Sequence, residues 1–250
     1  MGLIVHPFSR AKEILEGYRK VAPKSPPELT TWVVLRKAPP LPFLAPEVHG
    51  KEVVILALSY IGDLEEGRKA VAPIQALGKP HAEVIGPSPF AGWQTAFDPL
   101  LTPGSRNYWK SHDFVELSDG SIKTVLEYVQ RLPTPECEVF LAQMGGAINK
   151  VPAQATAYPH RDVEYVMNVH TRWGEPSKDA ECISWAKELF EALAPFATGG
   201  VYVNFMPEDE TQRVRKGAYG ANYERLAQVK EKYDPTNLFR MNQNIKPAGA

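Results

Sequence analysis

From Val53 to Tyr60 the chain is apolar almost without a break. A run this short, rich in β-branched residues, reads as a strand that is central in a sheet or covered on both faces. A second strand candidate, Leu29 to Leu35, carries the Thr, Trp and Val residues that suit a pleated surface. Only the proline-punctuated loop Pro39 to Pro46 separates the two, with no helical pattern between them. Strand following strand argues against regular βαβ alternation and its parallel sheet. The expected fold class is therefore α+β: one large, mostly antiparallel sheet with helices packed on one face and the other face free.

The rest of the chain fits that frame. Leu3 to Val5 is a short strand candidate, and Ser9 is expected to cap a helix with Ala11, Ile14, Leu15 and Tyr18 on one face. Asp63 and Ser118 have the chemistry of N-caps for two further helices, the second presenting Ile122, Val125, Leu126 and Val129. Ser177 or Asp179 opens another, with Ile183, Ala186, Leu189, Phe190 and Leu193 inward, and the last runs from about Tyr219 to Lys232. Ala82–Ile85, Asn107–Leu117, Glu138–Met144, Arg161–Trp173 and Val201–Phe205 read as extended, and Phe90–Phe97 as a short helix whose aromatic residues form a satellite core or line a pocket. Gly145-Gly146 lets the backbone turn or approach another group closely. With no internal repeat and no dividing linker, residues 1–250 are expected to form one domain.

Composition narrows the function classes. A net charge of −1 and the lack of a Lys/Arg run argue against a nucleic-acid partner. The histidines show no HxH or HxxxH spacing, so no metal site is expected, and Cys137 and Cys182 have the look of buried, reduced thiols. No stretch approaches the roughly 18 apolar residues of a membrane span, and the first residues lack a signal peptide's charged region, so the expectation is a soluble, cytoplasmic protein. Neither GxSxG, GxxxxGK[ST] nor GxGxxG occurs, which leaves the chain without a recognisable phosphate cradle.

Candidate chemistry lies on two segments and the tail. Side chains alternate along a strand, so Tyr202 and Asn204 are expected on one face, with Val201, Val203 and Phe205 against helices on the other. The same alternation sends Asn168 and His170 together, away from Tyr165, Met167 and Val169. Near the C-terminus, Asp234-Pro235 ends the last helical pattern and Thr236-Asn237 supplies a turn. Asn242, Gln243 and Asn244 then follow in a row, three uncharged amides suited to holding a heteroaromatic ring or pinning a loop. His160 and Arg161 offer an anion contact, a flavin contact or a structural turn.

That tail, Tyr233 to Pro247, resembles the C-terminal signature of the berberine-bridge-enzyme-like flavoprotein oxidases, a branch of the vanillyl-alcohol-oxidase superfamily. Asn107-Tyr108-Trp109-Lys110-Ser111, Gly145-Gly146-Ala147-Ile148, Tyr158-Pro159-His160-Arg161 and Gly200 to Phe205 are similar to the family's second half in order and spacing. The resemblance implies a substrate-binding domain whose open sheet face covers FAD, with the berberine-type segment at about 200–247 and the FAD-binding domain absent from this chain. It implies hydride transfer from an alcohol, sugar or phenolic substrate to the flavin, with Tyr202 as base, assisted by Asn168 or His170. Asn204, Asn242, Gln243 and Asn244 are the implied cofactor contacts. Asn168 departs from a base's chemistry, because an amide takes no proton at neutral pH. The chain alone is expected to be inactive and to need a separate FAD-binding domain or subunit; self-association into a homo-oligomer is a further option. The alternative is a non-catalytic small-molecule-binding or assembly subunit that keeps the fold.

Overall fold

The computed structural model describes residues 1–249. Its strands are β1 (Gly2–Pro7), β2 (Leu29–Lys37), β3 (Glu52–Tyr60), β4 (Ala82–Ile85), β5 (Arg106–Phe114), β6 (Glu138–Gln143) and β7 (Tyr165–Trp173). Its helices are α1 (Ala11–Val21), α2 (Leu64–Gln75), α3 (Phe90–Thr95), α4 (Asp119–Val129), α5 (Gly146–Lys150), α6 (Asp179–Leu193) and α7 (Tyr223–Tyr233). The strands form a single sheet in the order β4-β1-β3-β2-β6-β7-β5, and every pairing is antiparallel. The α+β expectation is the observed architecture. β3 lies inside the sheet between β1 and β2, where its unbroken apolar run meets packing on both faces.

Helices α1, α2, α4 and α6 cover one face. Ile14, Leu15 and Tyr18 of α1, Ile122 and Val125 of α4, and Trp185, Ala186 and Leu189 of α6 meet Val33, Leu56, Tyr165, Met167 and Val169 of the sheet in the main core. Asp63 caps α2 by accepting from the backbone N–H groups of Glu65 and Glu66, and Ser118 caps α4 through Ser121. Ser9 does not cap α1: a 3₁₀ turn, Phe8–Arg10, leads into that helix and satisfies the first donors locally. A similar turn, Pro176–Lys178, precedes α6, where Asp179 instead accepts from Arg106 and the Trp173 indole.

The second face is not free. A loop containing Ala38, Leu44 and Val48 closes a smaller core with Val5, Val53 and Ile55. The expected strand Val201–Phe205 is absent: Val203–Phe205 is a 3₁₀ turn, with Phe205 N–H donating to Tyr202 O and Met206 N–H to Val203 O. Local turn bonds have taken the place of a ladder, and the segment lies over β5 instead of extending the sheet. Both cysteines are buried and unpaired. Among the described residues no helix is long and apolar enough to cross a membrane, and no group of three or more His, Cys, Asp or Glu is placed to hold a metal.

Candidate active site

Antiparallel register builds the site. Residues directly opposite one another share a face, so Arg36, Glu138, His170 and Trp109 form one row across β2, β6, β7 and β5. Val34, Phe140, Asn168 and Ser111 form the next, and Trp32, Ala142, Val166 and Asp113 the one after. All three rows are on the face away from the main helices. The alternation along β7 is as read from the sequence: Tyr165, Met167 and Val169 enter the core, while Asn168 and His170 turn the other way. Every residue of β7 is nevertheless buried, because the polar side lies beneath a loop-covered cavity.

That cavity has a volume of about 460 Å³, within the range of small-molecule sites. Trp32, Trp93, Phe97, Trp109, Phe140 and Phe205 give it an aromatic wall, and Arg36, Glu138, Asn168 and His170 its polar floor. The aromatic residues of 90–97 thus line a pocket; they are not a satellite core. Arg172, from the same side of β7, fastens the roof by donating to Leu100 O at 2.6 Å and to Thr102 O. Asn168 is only 1% exposed, and its amide oxygen has no hydrogen-bond partner. A buried, unpaired acceptor is costly unless something else meets it.

His170 is fully engaged. Its Nδ1 lies 3.3 Å from Glu138 Oε1 and its Nε2 3.1 Å from Asn107 Oδ1. Because the Asn107 amide nitrogen donates to Ser105 O at 2.9 Å, its oxygen faces His170, so an acceptor stands opposite each ring nitrogen. On the other side of Glu138, Arg36 Nη1 donates to Oε2 at 2.6 Å. Burial pushes the Glu138 carboxyl up, but the hydrogen bond from His170 and the charge of Arg36 outweigh it and hold the group below its ordinary value. A histidine held between two acceptors has a fixed ring and orients its neighbours.

Tyr202 reaches the same face by another route. Its backbone N–H donates to Ser111 Oγ at 3.3 Å, beside Asn168 in the second row. Its hydroxyl accepts from Asn204 Nδ2 at 2.7 Å, so the two predicted residues are a pair. Val201 and Val203 pack away from the site, with Val214, Ala218 and Tyr223. Phe205 does not join them: it stands edge-on to Trp109 and Phe140 at centroid distances of 5.7 and 5.5 Å and lines the cavity, with Tyr202 behind it at 5.1 Å. Period-two alternation failed here because the segment is a turn, not a strand.

Behind Tyr202, Tyr158 stands edge-on to it at 6.1 Å, and its own buried hydroxyl lacks a partner. Burial raises the Tyr158 phenol above its ordinary value. His160 donates from Nε2 to Gly217 O at 2.7 Å while Nδ1 lies 3.7 Å from the fully buried Asp113. Desolvation raises Asp113 to about 6 despite the opposing influence of His160. Gly200 passes so close that a Cβ there would lie 2.6 Å from Asp113 Oδ2, so only glycine fits. Arg161 spends its guanidinium on Tyr158 O, Ile148 O and Thr156 Oγ1. The structural turn is the reading that holds for Tyr158–Arg161.

The carboxamide tail divides. Gln243 Nε2 donates to Met206 O and Pro207 O at 3.1 and 3.3 Å, tying the tail to the end of the Tyr202 segment. Asn242 adopts a left-handed φ of 61° and is exposed, with Asn244 N–H closing a turn onto its carbonyl at 3.0 Å. Gln243 Oε1 and Asn244 Oδ1 are buried without partners. Leu238, Phe239 and Met241 are exposed beside them, Met241 at 84%.

A family model described as "Berberine and berberine like" matches residues 201–246, the segment that carries Tyr202, Asn204 and the three amides. An uncharacterised FAD-linked oxidoreductase of Bacillus subtilis, YgaK, is 31% identical over 193 residues, 75% of this chain and 42% of that protein. The chain corresponds to the C-terminal half of the berberine-bridge-enzyme-like FAD-linked oxidoreductases. It spans less than half the length of that curated relative. Among solved structures of berberine-bridge type, the wild-type BBE-like 1 of Physcomitrella patens superposes with a TM-score of 0.79 at 19% identity, covering 99% of this chain and 53% of that one. A chitooligosaccharide oxidase gives 0.75 at 22% identity, covering 98% and 55%. These two likenesses show a shared fold.

The sequence pattern had pointed to Tyr202, Asn204, Asn168 and His170. It missed Arg36, Glu138, Trp109 and Phe205. Arg36 carried a usable signal: it is two and four residues beyond Val34 and Trp32, on the same face of an otherwise apolar strand.

Proposed function

We propose that the chain is the substrate-binding, flavin-covering domain of an FAD-dependent oxidoreductase that oxidises an alcohol, sugar or phenolic substrate, completed by a separate FAD-binding domain or subunit. The observation that carries this reading is the unpartnered Asn168 amide in a 460 Å³ aromatic-lined cavity on the loop-covered sheet face, with the Tyr202–Asn204 pair next to it behind Phe205.

The residues present suit such a cofactor. In the tail that is tied to Met206 and Pro207, Gln243 Oε1 and Asn244 Oδ1 are unpaired acceptors, and Asn204 and Asn242 are exposed polar groups. Bound FAD would supply the hydride acceptor. The chain's own part is to hold the substrate between the aromatic walls, orient it by hydrogen bonding to Asn168, and take a hydroxyl proton at Tyr202 Oη. The Asn204 donor on that oxygen stabilises the phenolate, the form able to accept the proton, whose charge is neutralised as the proton arrives. His170 acts as an orienting donor in this scheme.

The test is to mix the purified chain with FAD, remove free ligand and record the visible spectrum, alone and with a flavin-binding partner domain. The chain alone should retain no stoichiometric flavin band, while the mixture should show substrate-dependent bleaching. A stoichiometric band on the chain alone, or no bleaching with any alcohol, sugar or phenol, rejects the proposal.

A further inference from the structure

The row Arg36–Glu138–His170 has a consequence beyond orientation. Three charged or chargeable side chains are aligned at the floor of a cavity whose walls are otherwise mainly apolar, aromatic and aliphatic together. Glu138 is the only carboxylate among the cavity-lining residues, and both of its oxygens are taken: Oε2 by Arg36 at 2.6 Å and Oε1 by His170 at 3.3 Å. The two nitrogen-bearing partners therefore outnumber it.

Arg36 has capacity left over. Its Nε donates to Lys37 O at 3.3 Å and its Nη1 to Glu138, whereas Nη2 has no acceptor among the described residues. The side chain is only 11% exposed, so those N–H groups have little access to bulk water. A guanidinium presents five donors in a fixed fork and pairs best with a planar oxyanion. Asn168, next to His170 in the adjacent row, has an unpaired amide oxygen, which calls for a donor on the ligand and takes no part in holding an oxyanion.

We infer that this cavity selects a substrate with an aromatic body and a carboxylate, the ring between Trp32, Trp109 and Phe140 and the carboxylate on the free Arg36 Nη2. The inference rests on the cavity being the substrate site and narrows its substrate class to aryl carboxylates. A purely apolar ligand would leave Nη2 unmatched, and a neutral hydroxyl would meet it without the charge assistance that a carboxylate supplies.

The experiment needs no flavin, so its failure is separable from that of the oxidase reading. The purified chain is titrated with 3-phenylpropanoate and with 3-phenylpropan-1-ol, which has the same carbon skeleton and no charge, at pH 7, following tryptophan fluorescence and checking by calorimetry. The acid should bind at least about tenfold more tightly, as expected for one charge-assisted contact in a water-poor site. In Arg36→Met the gap should collapse, chiefly through loss of the acid's affinity, with circular dichroism and the thermal midpoint reporting an intact fold. Should Arg36→Met not fold, Arg36→Lys serves: it keeps the charge without the fork and should narrow the gap only partly. Equal affinities in the wild-type chain, or no saturable binding of the acid, overturns the inference, as does a gap that survives Arg36→Met. Bleaching of a reconstituted flavin by neutral alcohols, with the acid excluded, would retain the oxidase and reject this substrate class.

Discussion

The two faces of the sheet are built from the same seven strands and obey different rules. The helix-covered face is a conventional core, where Val, Leu, Ile and aromatic residues interlock and polar groups are few. The opposite face interleaves charged, amide and aromatic side chains, leaves several polar atoms unpaired and is roofed by loops. β7 shows both at once, with Met167 and Val169 on one side and Asn168 and His170 on the other. Buried polar atoms lack partners on both faces, as at Tyr165 Oη and the His6 ring on the helix side, but Asn168 Oδ1 differs from these in lining a cavity. An unmet acceptor that lines a cavity marks where a ligand belongs.

The contrast can be broken most sharply at Tyr202. In an assembly reconstituted with a flavin-bearing partner, Tyr202→Phe should lower kcat by about 100- to 10,000-fold and leave KM little changed, the signature of a lost proton acceptor. Steady-state kinetics decides it, and unchanged turnover removes Tyr202 from that role. On the helix side, Leu189→Ala should cost about 2–5 kcal/mol in urea unfolding, because a fully buried leucine leaves a cavity that the helices cannot close.

Asp113 tests the boundary between the faces through pH. Its folded carboxyl keeps a proton up to about pH 6, whereas an unfolded one loses it near 3.8. In that window the folded state binds more protons, so stability should fall as pH rises through it, by about 3 kcal/mol for a shift of this size. Asp113→Asn should flatten that slope in denaturant melts at pH 4 and pH 7. The smallest effect belongs to Trp32, which is 42% exposed and stacks on Phe140 at 5.8 Å. Trp32→Ala should cost about 1 kcal/mol of stability while weakening ligand binding, since its ring is a wall of the cavity.

How much of this could be read beforehand depended on the range of the interactions. The central position of β3 followed from its own composition, and the caps at Asp63 and Ser118 from chemistry within three residues. The two-sidedness of β7 followed from alternation alone. What alternation cannot supply is register: Arg36, Glu138, His170 and Trp109 meet only because pairings far apart in sequence place them opposite one another. The Val201–Phe205 segment was misread for a related reason. Its Val and Tyr residues favour extended backbone, but whether a strand forms depends on a neighbour with free donors, and here the segment closes its own turn above β5. The tail was legible as ordered, and Gln243 does reach back to Met206, but its partners could not be named from sequence.

The aligned row on β2, β6 and β7 also bears on how the sheet assembles. Shifting any one of these strands by a single residue would turn its charged member over, placing Arg36, Glu138 or His170 against Leu56, Met167 and the helices, with no counter-ion. An isolated charge in such surroundings costs several kcal/mol. The row therefore favours a single register: only one alignment of the three strands lets all the charges find one another, and a sheet paired otherwise is less stable.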